Sequence, residues 1–513
     1  MSSQKKQPQI DARSAMNQSP KITHINEAYG EIRFPQCSPI RVYGSEKIRK
    51  ELDASAIEQA CNMRTCPGVE GVTLTPDAHC GFGAPIGCVM VSPSHIYPCP
   101  VGVDINCSMS LLQLNLPEEA IVEKKLRREL LKAVAKRIPV GFAACAPEGR
   151  KLSNEFIEQA LVEGATERIC REMQIPPEWT LRCEDSVRVG HDGTTDALKA
   201  RLERVKEELG AGKRKHWNYE AKLQQLGSYG GGNHFGECEI VRLAKSEKGD
   251  NNVAKTFGLI DGNVAFLSHC GSRGFGNEIA RGQFNLLKRK FETWRIPFPA
   301  NDPYLVYAPL GTPEADDYID DMTLGANFAT LNHLLINALV LEAFQEVVPG
   351  TTGSLVYFIS HNIARKEILD GKPLWVHRKG ATRAYPANHF SLIDTPFAKT
   401  GHPILLPGNP RQGSAVMVAL EGAKECYYSI NHGAGRAVGR RVAMKTFNQR
   451  EVDKEFEDAD VLVNCRNYPL DEAPKAYKDF NEVLRSVEQA GLARTVARLD
   501  ARFVVKDSSK PDD

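Results

Sequence analysis

Five short segments of the sequence carry histidine, cysteine or carboxylate side chains, in four of them beside glycine. They are PDAHCGFG with the nearby GVDINC (residues 76–107), GGGNHFGE (230–237), SHCGSRGFG (268–276), ISHNIAR (359–365) and NHGAGR (431–436). Metal sites gather ligands that lie far apart in a sequence, and glycine lets the backbone approach a phosphate closely. The pattern therefore favours an enzyme that uses a metal and a nucleotide.

The first four segments offer ligands of different chemical hardness. Asp104 and Cys107 lie three residues apart; a carboxylate prefers hard cations, whereas a thiolate favours zinc, iron or borderline ions. Alternatively, Asp104 caps a turn and Cys107 is a small buried apolar residue. His234, His269 and His361 add three imidazoles. A single histidine is more often structural. Three histidines that each lie near glycine or beside polar residues favour one shared metal site.

The last segment is typical of phosphate chemistry. His432 is followed by the small residues Gly433-Ala434-Gly435 and then by Arg436. A neutral imidazole can attack phosphorus, and guanidinium groups can spread the charge of the resulting phosphoramidate. Arg273, in the turn after His269, can likewise bind an anion. The alternative is that His432 is a buried histidine, hydrogen-bonded within a glycine turn.

The composition is that of a globular protein. The chain has 513 residues, 42% of them hydrophobic, and a formal net charge of +1, which neither supports nor excludes a nucleic-acid partner. Polar residues interrupt the most apolar stretch (331–344), and the N-terminal residues lack the apolar core of a secretory signal, so we expect no membrane association. Fourteen dispersed cysteines without a C-x-x-C pair indicate reduced thiols and a cytoplasmic location.

We predict one large mixed α/β (α+β) domain with its metal site in a central cleft. The domain spans residues 21–506, between a disordered N-terminal tail (1–20) and a C-terminal tail (507–513). Helical insertions are expected around residues 118–220. The basic run 213–215 within them is either a solvated helix face or an RNA contact.

Hydrophobic periodicity predicts the elements that position the motifs. Helical patterns cover residues 118–137, 196–215 and 471–487, and His361 is expected to open a further helix. Apolar runs predict buried strands at 89–91, 263–267, 355–359 and 501–506. Two of these strands run directly into His269 and His361. Ligands at strand ends are held stiffly, which suits a site of fixed geometry.

Taken together, the motifs resemble the RtcB family of RNA ligases. They occur in that family's order, from DINC (104–107) through NHFGE (233–237), SHCGSRG (268–274) and HNIA (361–364) to HGAGR (432–436). The connecting segments PDAHCGFGAPIG, HRKGATRAYP and EAPKAYKDFNEV are also similar. The resemblance covers roughly residues 45–506, and several motifs in one order are far more specific than any single motif.

The resemblance implies two manganese ions and GTP. Cys107 would bridge the ions, with Asp104 and His234 on one and His269 and His361 on the other. His432 would take GMP from GTP as a covalent adduct, and Glu237 with Lys506 would read the guanine edge. The implied nucleotide-binding residues are Asn233, Glu237, Asn409, Ser414, Gly433, Ala434, Gly435 and Lys506. The implied ligands of RNA phosphates are Arg273 and Arg436.

The implied activity is GTP-dependent RNA ligation, in tRNA splicing or RNA repair. GMP would pass to an RNA 3′-phosphate, formed where necessary by opening a 2′,3′-cyclic phosphate, and a 5′-hydroxyl end would then displace it. Members of the family often depend on a small activator protein, archease, so an archease-like partner is an expectation here as well.

Departures from the family pattern flank the nucleotide and RNA surfaces. Asn409 stands where serine is common, and Val438-Gly439-Arg440 replaces a methionine-serine-arginine sequence. Every implied ligand and the nucleophile are retained, which suggests a divergent paralogue with an altered RNA preference. Two alternatives have different requirements. A dinuclear metal phosphoesterase would not need His432 beside a guanine pocket, and a non-catalytic RNA-binding paralogue would be expected to have lost ligands.

Overall fold

A computed structural model describes residues 20–146, 150–210, 218–244 and 250–508. Its strands are β1 (Thr23–His24), β2 (Tyr29–Ile32), β3 (Ile40–Tyr43), β4 (Gly71–His79), β5 (Ile86–Ser92), β6 (His95–Ile96), β7 (Ser108–Pro117), β8 (Phe235–Leu243), β9 (Asn263–Cys270), β10 (Ala308–Pro309), β11 (Gly353–Ser360), β12 (Asn362–Leu369), β13 (Lys372–Lys379), β14 (Ala381–Arg383), β15 (Pro403–Asn409), β16 (Gly413–Ala419), β17 (Ser429–Asn431), β18 (Leu462–Val463) and β19 (Ala493–Lys506).

The α-helices are α1 (Glu46–Lys50), α2 (Ala54–Arg64), α3 (Lys124–Arg137), α4 (Asn154–Glu163), α5 (Glu167–Glu172), α6 (Thr195–Gly210), α7 (Tyr219–Leu223), α8 (Asp250–Phe257), α9 (Arg273–Trp294), α10 (Pro313–Val347), α11 (Arg440–Thr446), α12 (Gln449–Asp458) and α13 (Phe480–Gln489). Short 3-10 helices cover Glu118–Ile121, Pro177–Arg182, Pro299–Asn301, Phe390–Leu392, Glu421–Cys426, Leu470–Glu472 and Pro474–Ala476.

Two large sheets carry the architecture. The first has the strand order β1-β2-β3-β4-β5-β13-β12 and is antiparallel except for the β3–β4 pair. The second has the order β11-β7-β9-β8-β19-β16-β15, with β18 parallel to β19. Strands β9 and β16 are buried along nearly their whole length, because both faces of the second sheet are covered. Two small sheets pair β6 with β10 and β14 with β17.

The longest helix, α10, passes through the largest apolar core. It begins after Thr312, whose hydroxyl accepts the backbone N–H of Ala315, and Pro313 suits the first turn because that position needs no N–H partner. The helix contacts α3, α4, α6 and α9. By length and composition alone α10 could cross a membrane, but 94% of its most apolar window is buried within the fold. Such burial is typical of a helix in the core of a globular domain.

Most of the predicted architecture is confirmed. The described residues form a single large mixed α/β domain, and α3 to α7 lie in the region expected to hold helical insertions. The predicted strands at 89–91, 263–267, 355–359 and 501–506 lie within β5, β9, β11 and β19. All fourteen cysteines are unpaired. The predicted tails fall largely outside the described residues, as does the basic run 213–215.

Two helix predictions were wrong. His361 does not open a helix; it lies between β11 and β12, because β12 pairs with β13 as a hairpin along its full length. The stretch 471–487 is helical only from Phe480, after the Asp479 side chain accepts the N–H of Asn481. Before that point lie two short 3-10 turns, and the second begins at Pro474, which has no N–H to donate.

Candidate metal centre and nucleotide pocket

Four of the predicted metal ligands lie at the same end of four neighbouring strands. Cys107 immediately precedes β7, His269 lies near the end of β9, His234 immediately precedes β8, and His361 immediately follows β11. These strands are adjacent and antiparallel in the order β11-β7-β9-β8. The start of each strand therefore lies beside the end of the next, and the sheet brings the four side chains together.

The ligand side chains form two groups that share one thiol. Cys107, His269 and His361 form one group, and Asp104, Cys107 and His234 form the other. Cys107 Sγ lies 3.2 Å from His269 Nε2 and 3.4 Å from His234 Nε2. His269 Nε2 is 3.3 Å from His361 Nε2, and His234 Nε2 is 2.9 Å from Asp104 Oδ2. All five residues are thus in one place, with Cys107 between the groups.

His269 and His361 are neutral imidazoles, as metal ligands must be. His269 Nδ1 lies 3.0 Å from the carbonyl oxygen of Asn233, which can only accept, so Nδ1 carries the proton and Nε2 keeps its lone pair. Burial, and then the charges of neighbouring histidines, lower the pKa of His269 and of His361 well below the ordinary value. Both rings are therefore neutral at pH 7, with Nε2 atoms facing each other.

The donor set fits divalent cations. Bonds of about 2.0 Å to nitrogen and 2.3 Å to sulfur in a tetrahedral site separate neighbouring donors by roughly 3.3–3.5 Å, close to the spacings around Cys107. Burial, and then the charge of Asp104, raise the pKa of the Cys107 thiol well above its ordinary value. A bound cation would reverse this effect, because a coordinating thiol is deprotonated.

The predicted nucleophile, His432, lies beside this cluster. Its ring centroid is 4.8 Å from that of His361. Its Nδ1 donates to Asp77 Oδ2 at 2.6 Å, and its backbone N–H donates to the same oxygen at 3.2 Å. Since a carboxylate only accepts, Nδ1 carries a proton, and in the neutral ring Nε2 is the nitrogen with the free lone pair. Burial alone would raise the pKa of Asp77, but the hydrogen bond and charge of His432 outweigh it and lower that pKa.

The small residues after His432 are required by close packing. Gly435 has a φ of +74°, and a Cβ there would lie 2.2 Å from the carbonyl oxygen of Asp77, so a larger residue does not fit. The carbonyl of Pro407 accepts the N–H of Ala434, and a Cβ at Gly433 would lie 2.8 Å from it. The turn is therefore held between the end of β4 and the segment that carries Pro407.

One cavity contains four of the predicted nucleotide-binding side chains. Its lining residues are Phe235, Glu237, Pro407, Gly408, Asn409, Pro410, Ser414, Tyr468, Glu472, Tyr477 and Lys506. Because Pro407 also contacts the turn after His432, the cavity adjoins the nucleophile. Its aromatic walls and few polar groups are typical of a site for a flat organic ligand.

Three acidic or basic side chains, Glu237, Glu472 and Lys506, line this cavity. Lys506 Nζ donates to the carbonyl of Gly232 at 2.8 Å and pairs with Glu472 at 3.2 Å. Glu237 is buried, and its Oε1 has no hydrogen-bond partner among the residues that the structure describes. Burial raises the pKa of Glu237, and burial together with the charge of Glu237 raises that of the neighbouring Glu239. An N–H donor on a ligand could supply the hydrogen bond that Glu237 Oε1 lacks.

Comparison with known proteins agrees with the motifs. A family model described as tRNA-splicing ligase RtcB matches residues 59–507. This chain belongs to the RtcB family. The tRNA-splicing ligase RtcB of Pyrobaculum aerophilum is 32% identical over 94% of this chain and 99% of its own length. Those of Archaeoglobus fulgidus and Thermococcus kodakarensis are 34% and 32% identical, each over 91% of this chain and 94% of their own length.

Two arginines predicted to bind RNA phosphates are engaged within the RtcB fold. Arg273 is buried and donates to the carbonyl of Gly141 at 2.8 Å, and burial lowers its pKa to about 10. Arg436 pairs with Glu472 at 3.3 Å and lies 5.4 Å from the Tyr477 ring centroid. Since Glu472 and Tyr477 both line the cavity, Arg436 is better placed than the buried Arg273 to contact a phosphate. The RNA contacts of both arginines stay predictions.

Two asparagines in the predicted nucleotide set have other contacts in the structure. Asn409 Oδ1 accepts the N–H groups of Arg411 and Gln412, and its Nδ2 donates to Gln412 Oε1 at 2.9 Å. Asn233 supports the metal cluster through its carbonyl oxygen. Their nucleotide contacts, like those of Ser414 and the turn after His432, stay predictions.

Reasoning from the sequence missed Asp77 and Glu472. Both lie in segments similar to the RtcB family, PDAHCGFGAPIG and EAPKAYKDFNEV, so their neighbourhood was recognised while their roles were not. Asp77 lies 355 residues from His432 in sequence, and no local pattern connects the two. The available signal for Asp77 was a carboxylate inside a glycine-rich histidine motif.

Proposed function

We propose that this protein is a GTP-dependent RNA ligase. It joins RNA ends that carry a 3′-phosphate or a 2′,3′-cyclic phosphate to ends that carry a 5′-hydroxyl. The observation that carries the proposal is the position of His432, which contacts both the Asp77 carboxylate and a predicted metal ligand, His361. A phosphoesterase needs only the ligand cluster, whereas an oriented imidazole suits a covalent nucleotide intermediate. Membership of the RtcB family supports the same activity.

In the first step, Nε2 of His432 attacks the α-phosphorus of GTP. The N–P bond forms as the bond to the oxygen bridging the β-phosphate breaks, and pyrophosphate leaves. Asp77 keeps the proton on Nδ1, so the positive charge that develops on the ring lies beside a carboxylate.

In the second and third steps, the nucleotide is passed to RNA and then lost. An oxygen of the RNA 3′-phosphate bonds to the α-phosphorus, the N–P bond breaks, and His432 becomes neutral again. The 5′-hydroxyl oxygen of the other RNA end then attacks the activated 3′-phosphate, its proton is released, and GMP leaves. An end with a 2′,3′-cyclic phosphate is first hydrolysed to the 3′-phosphate.

We assign two Mn²⁺ ions to the five clustered ligands. Asp104 and His234 would hold one ion, His269 and His361 the other, and Cys107 both. Bound ions would stabilise negative charge on the phosphate oxygens during each displacement. The protein contributes a buried donor set whose lone pairs already converge, since the carbonyl that accepts from His269 Nδ1 leaves Nε2 free for the metal.

We assign the guanine base to the cavity beside His432. The Glu237 carboxyl, whose Oε1 has no partner among the described residues, would accept from the N–H groups of the guanine edge, and Lys506 would donate to the guanine carbonyl oxygen. Phe235 and Tyr477 supply apolar walls for the base. A cytoplasmic location and dependence on an archease-like activator stay predictions.

Incubation with α-³²P-labelled GTP and Mn²⁺, followed by denaturing electrophoresis, tests the covalent step. The adduct should be lost in acid and survive alkali, as expected for a phosphoramidate. His432→Ala should bind metal normally and form no adduct. The matched control is His191→Ala, because His191 Nδ1 also bonds an aspartate, Asp320, at 2.8 Å. Full labelling of His432→Ala would overturn the proposal, and loss of labelling in both variants would show that the effect is not specific.

A further inference from the structure

An exposed aromatic pair lies near the site, and the steps above do not use it. The Phe82 side chain is 78% exposed and that of Tyr304 is 40% exposed, with ring centroids 6.2 Å apart. Lys288 Nζ lies 4.3 Å from the centroid of the Tyr304 ring. A single exposed apolar side chain needs no explanation, but an aromatic pair with an adjacent cation is a candidate binding surface.

The backbone of Phe82 is fixed although its ring is exposed. Its carbonyl oxygen accepts from Lys379 Nζ at 3.0 Å and from Cys99 Sγ at 3.1 Å. The next residue, Gly83, has a φ of +61°, and a Cβ there would lie 2.4 Å from Tyr304 Cβ. The loop therefore packs directly on Tyr304, and the Phe82 ring is presented from a rigid support.

Lys379 connects this loop with two segments of the reactive centre. It directly precedes Gly380, where a Cβ would lie 3.0 Å from His432 Cε1. Its Cε also lies 3.6 Å from the position of a Cβ at Gly102, in the loop that carries Asp104. The Lys379 side chain thus contacts both the Phe82 loop and the loop that carries Asp104, and the next residue, Gly380, packs on His432. The loop that carries the aromatic pair therefore lies close to the reactive centre.

We propose that Phe82 and Tyr304 form a stacking platform for an unpaired nucleobase next to the reacting RNA end. The proposal rests on the RNA ligase function proposed above. Every nucleobase has a flat π face, so an exposed ring can bind single-stranded RNA whatever its sequence, and Lys288 can attract the adjacent phosphate. A protein partner would call for a wider apolar surface than two rings. The platform holds the terminal nucleotide while its phosphate or hydroxyl reaches the reactive atoms.

Fluorescence of 2-aminopurine measures this stacking directly. Two short single-stranded RNAs are used with the full-length, Mn²⁺-loaded protein. One carries 2-aminopurine beside a 3′-phosphate, and the other carries it at a 5′-hydroxyl end, so the two arms identify which RNA end meets the platform. Binding should quench the fluorescence of at least one probe, and Phe82→Ala should remove the quenching and weaken that RNA about tenfold, the usual scale of one base–aromatic stack.

Matched variants separate stacking from loss of structure. Phe82→Trp should restore binding and quenching. Phe390→Ala, which removes a phenylalanine that is 54% exposed on the 3-10 helix Phe390–Leu392, should bind like the wild type. An RNA with an abasic terminal nucleotide should bind wild type and Phe82→Ala equally, because it has no base to stack. Thermal melting followed by circular dichroism shows whether each variant is folded.

Each outcome decides a different question. Equal binding of the base-containing RNAs by wild type and Phe82→Ala would overturn the platform, leave the ligase proposal standing, and make the exposed ring a candidate protein contact. Failure of the wild type to bind either RNA would overturn both proposals. Absence of His432 labelling by GTP, together with Phe82-dependent quenching, would instead overturn the guanylylation mechanism and support the platform.

Discussion

Replacing Asp77 with alanine would remove an acceptor that two donors of His432 share. Asp77 Oδ2 accepts from His432 Nδ1 at 2.6 Å and from its backbone N–H at 3.2 Å, while Oδ1 accepts from the Thr75 hydroxyl at 2.6 Å. The Asp77 side chain is fully buried, so bulk water does not replace it. The Thr75 hydroxyl retains a second acceptor, the carbonyl of Gly87 at 3.0 Å, whereas the two His432 donors would be left without one.

The size of the effect follows from counting those donors. A buried donor without a partner costs about 1–3 kcal/mol, so the oriented state of His432 would lose about 2–6 kcal/mol. If that state is the one that attacks GTP, guanylylation slows between about 30-fold and about 10⁴-fold. Asp77→Asn is milder, because its amide oxygen can face His432 while its N–H₂ donates to Thr75. Only the charge is then lost, and we expect a reduction on the order of tenfold.

The pH dependence of this contact has a defined sign. The pKa of Asp77 lies below its ordinary value, because the hydrogen bond and charge of His432 outweigh the effect of burial. A carboxyl with a lowered pKa in the folded state stabilises that state above the unfolded pKa, and the contribution is lost as pH falls through the folded pKa. The contact should therefore be intact at neutral pH and disappear only in acid.

Single-turnover labelling with α-³²P-labelled GTP measures the rate for each variant. Asp320→Ala is the matched control, because buried Asp320 accepts from the backbone N–H of His191 at 2.7 Å and lies 2.8 Å from its Nδ1. It should lower the free energy of unfolding and leave the labelling rate of folded protein unchanged. A rate for Asp77→Ala within twofold of wild type would refute the orienting role, and an equal loss in Asp320→Ala would attribute it to general destabilisation.

Three further predictions concern the metals, the base and the RNA. Cys107→Ser should lower bound Mn²⁺ at both positions because its thiol is shared, whereas Cys238→Ser, which changes another buried thiol, should bind metal normally; elemental analysis distinguishes them, and normal metal in Cys107→Ser would contradict a shared ligand. GTP affinity measured by calorimetry should rise with pH above the ordinary carboxyl pKa, since burial keeps Glu237 protonated there and only the ionised form accepts guanine N–H groups at both oxygens. Glu237→Gln should show no such rise, and a flat wild-type profile would exclude this role. The same raised pKa means that the Glu237 contribution to stability falls as pH rises through this window. Arg436→Ala should slow RNA joining more than self-guanylylation, and equal losses in the two assays would assign Arg436 to GTP instead.

The cluster of proposed metal ligands could be predicted from sequence because each of its residues lies inside a short motif with its own chemical signature. Four of these residues lie at strand ends that apolar patterning or glycine also marks: Cys107, His234, His269 and His361. The sequence therefore indicated both the ligand type and its position in the fold. The error at His361 arose because a histidine between two short apolar runs fits a helix start as well as a strand junction. The pairing of β12 with β13 as a hairpin decides between them.

Contacts between segments distant in sequence could not be predicted in the same way. The Asp77–His432 hydrogen bond needs the end of β4 to meet the turn after β17, and no pattern within either segment requires that meeting. The cavity walls show the same limit. Glu472 lies in a stretch whose periodicity predicts a continuous helix. In the structure this stretch is broken at Pro474 into 3-10 turns, which place Glu472 against Lys506.

The division of the reactive centre between the sheets has a mechanical consequence. Four of the proposed metal ligands lie in or beside strands of the second sheet, and one of them, His361, also directly precedes β12 of the first sheet. Asp77 lies in β4 of the first sheet, and His432 follows β17, which pairs with β14 immediately after Gly380. At Gly380 a Cβ would lie 2.4 Å from Ile86 in β5 and 3.0 Å from His432, so the first sheet, the nucleophile and the β13–β14 connection are in direct contact there. The distance between nucleophile and metals therefore depends on how the sheets pack. A side chain added at Gly380 would move the nucleophile relative to the metals without altering any ligand, because the packed segments around it leave no space for an extra atom.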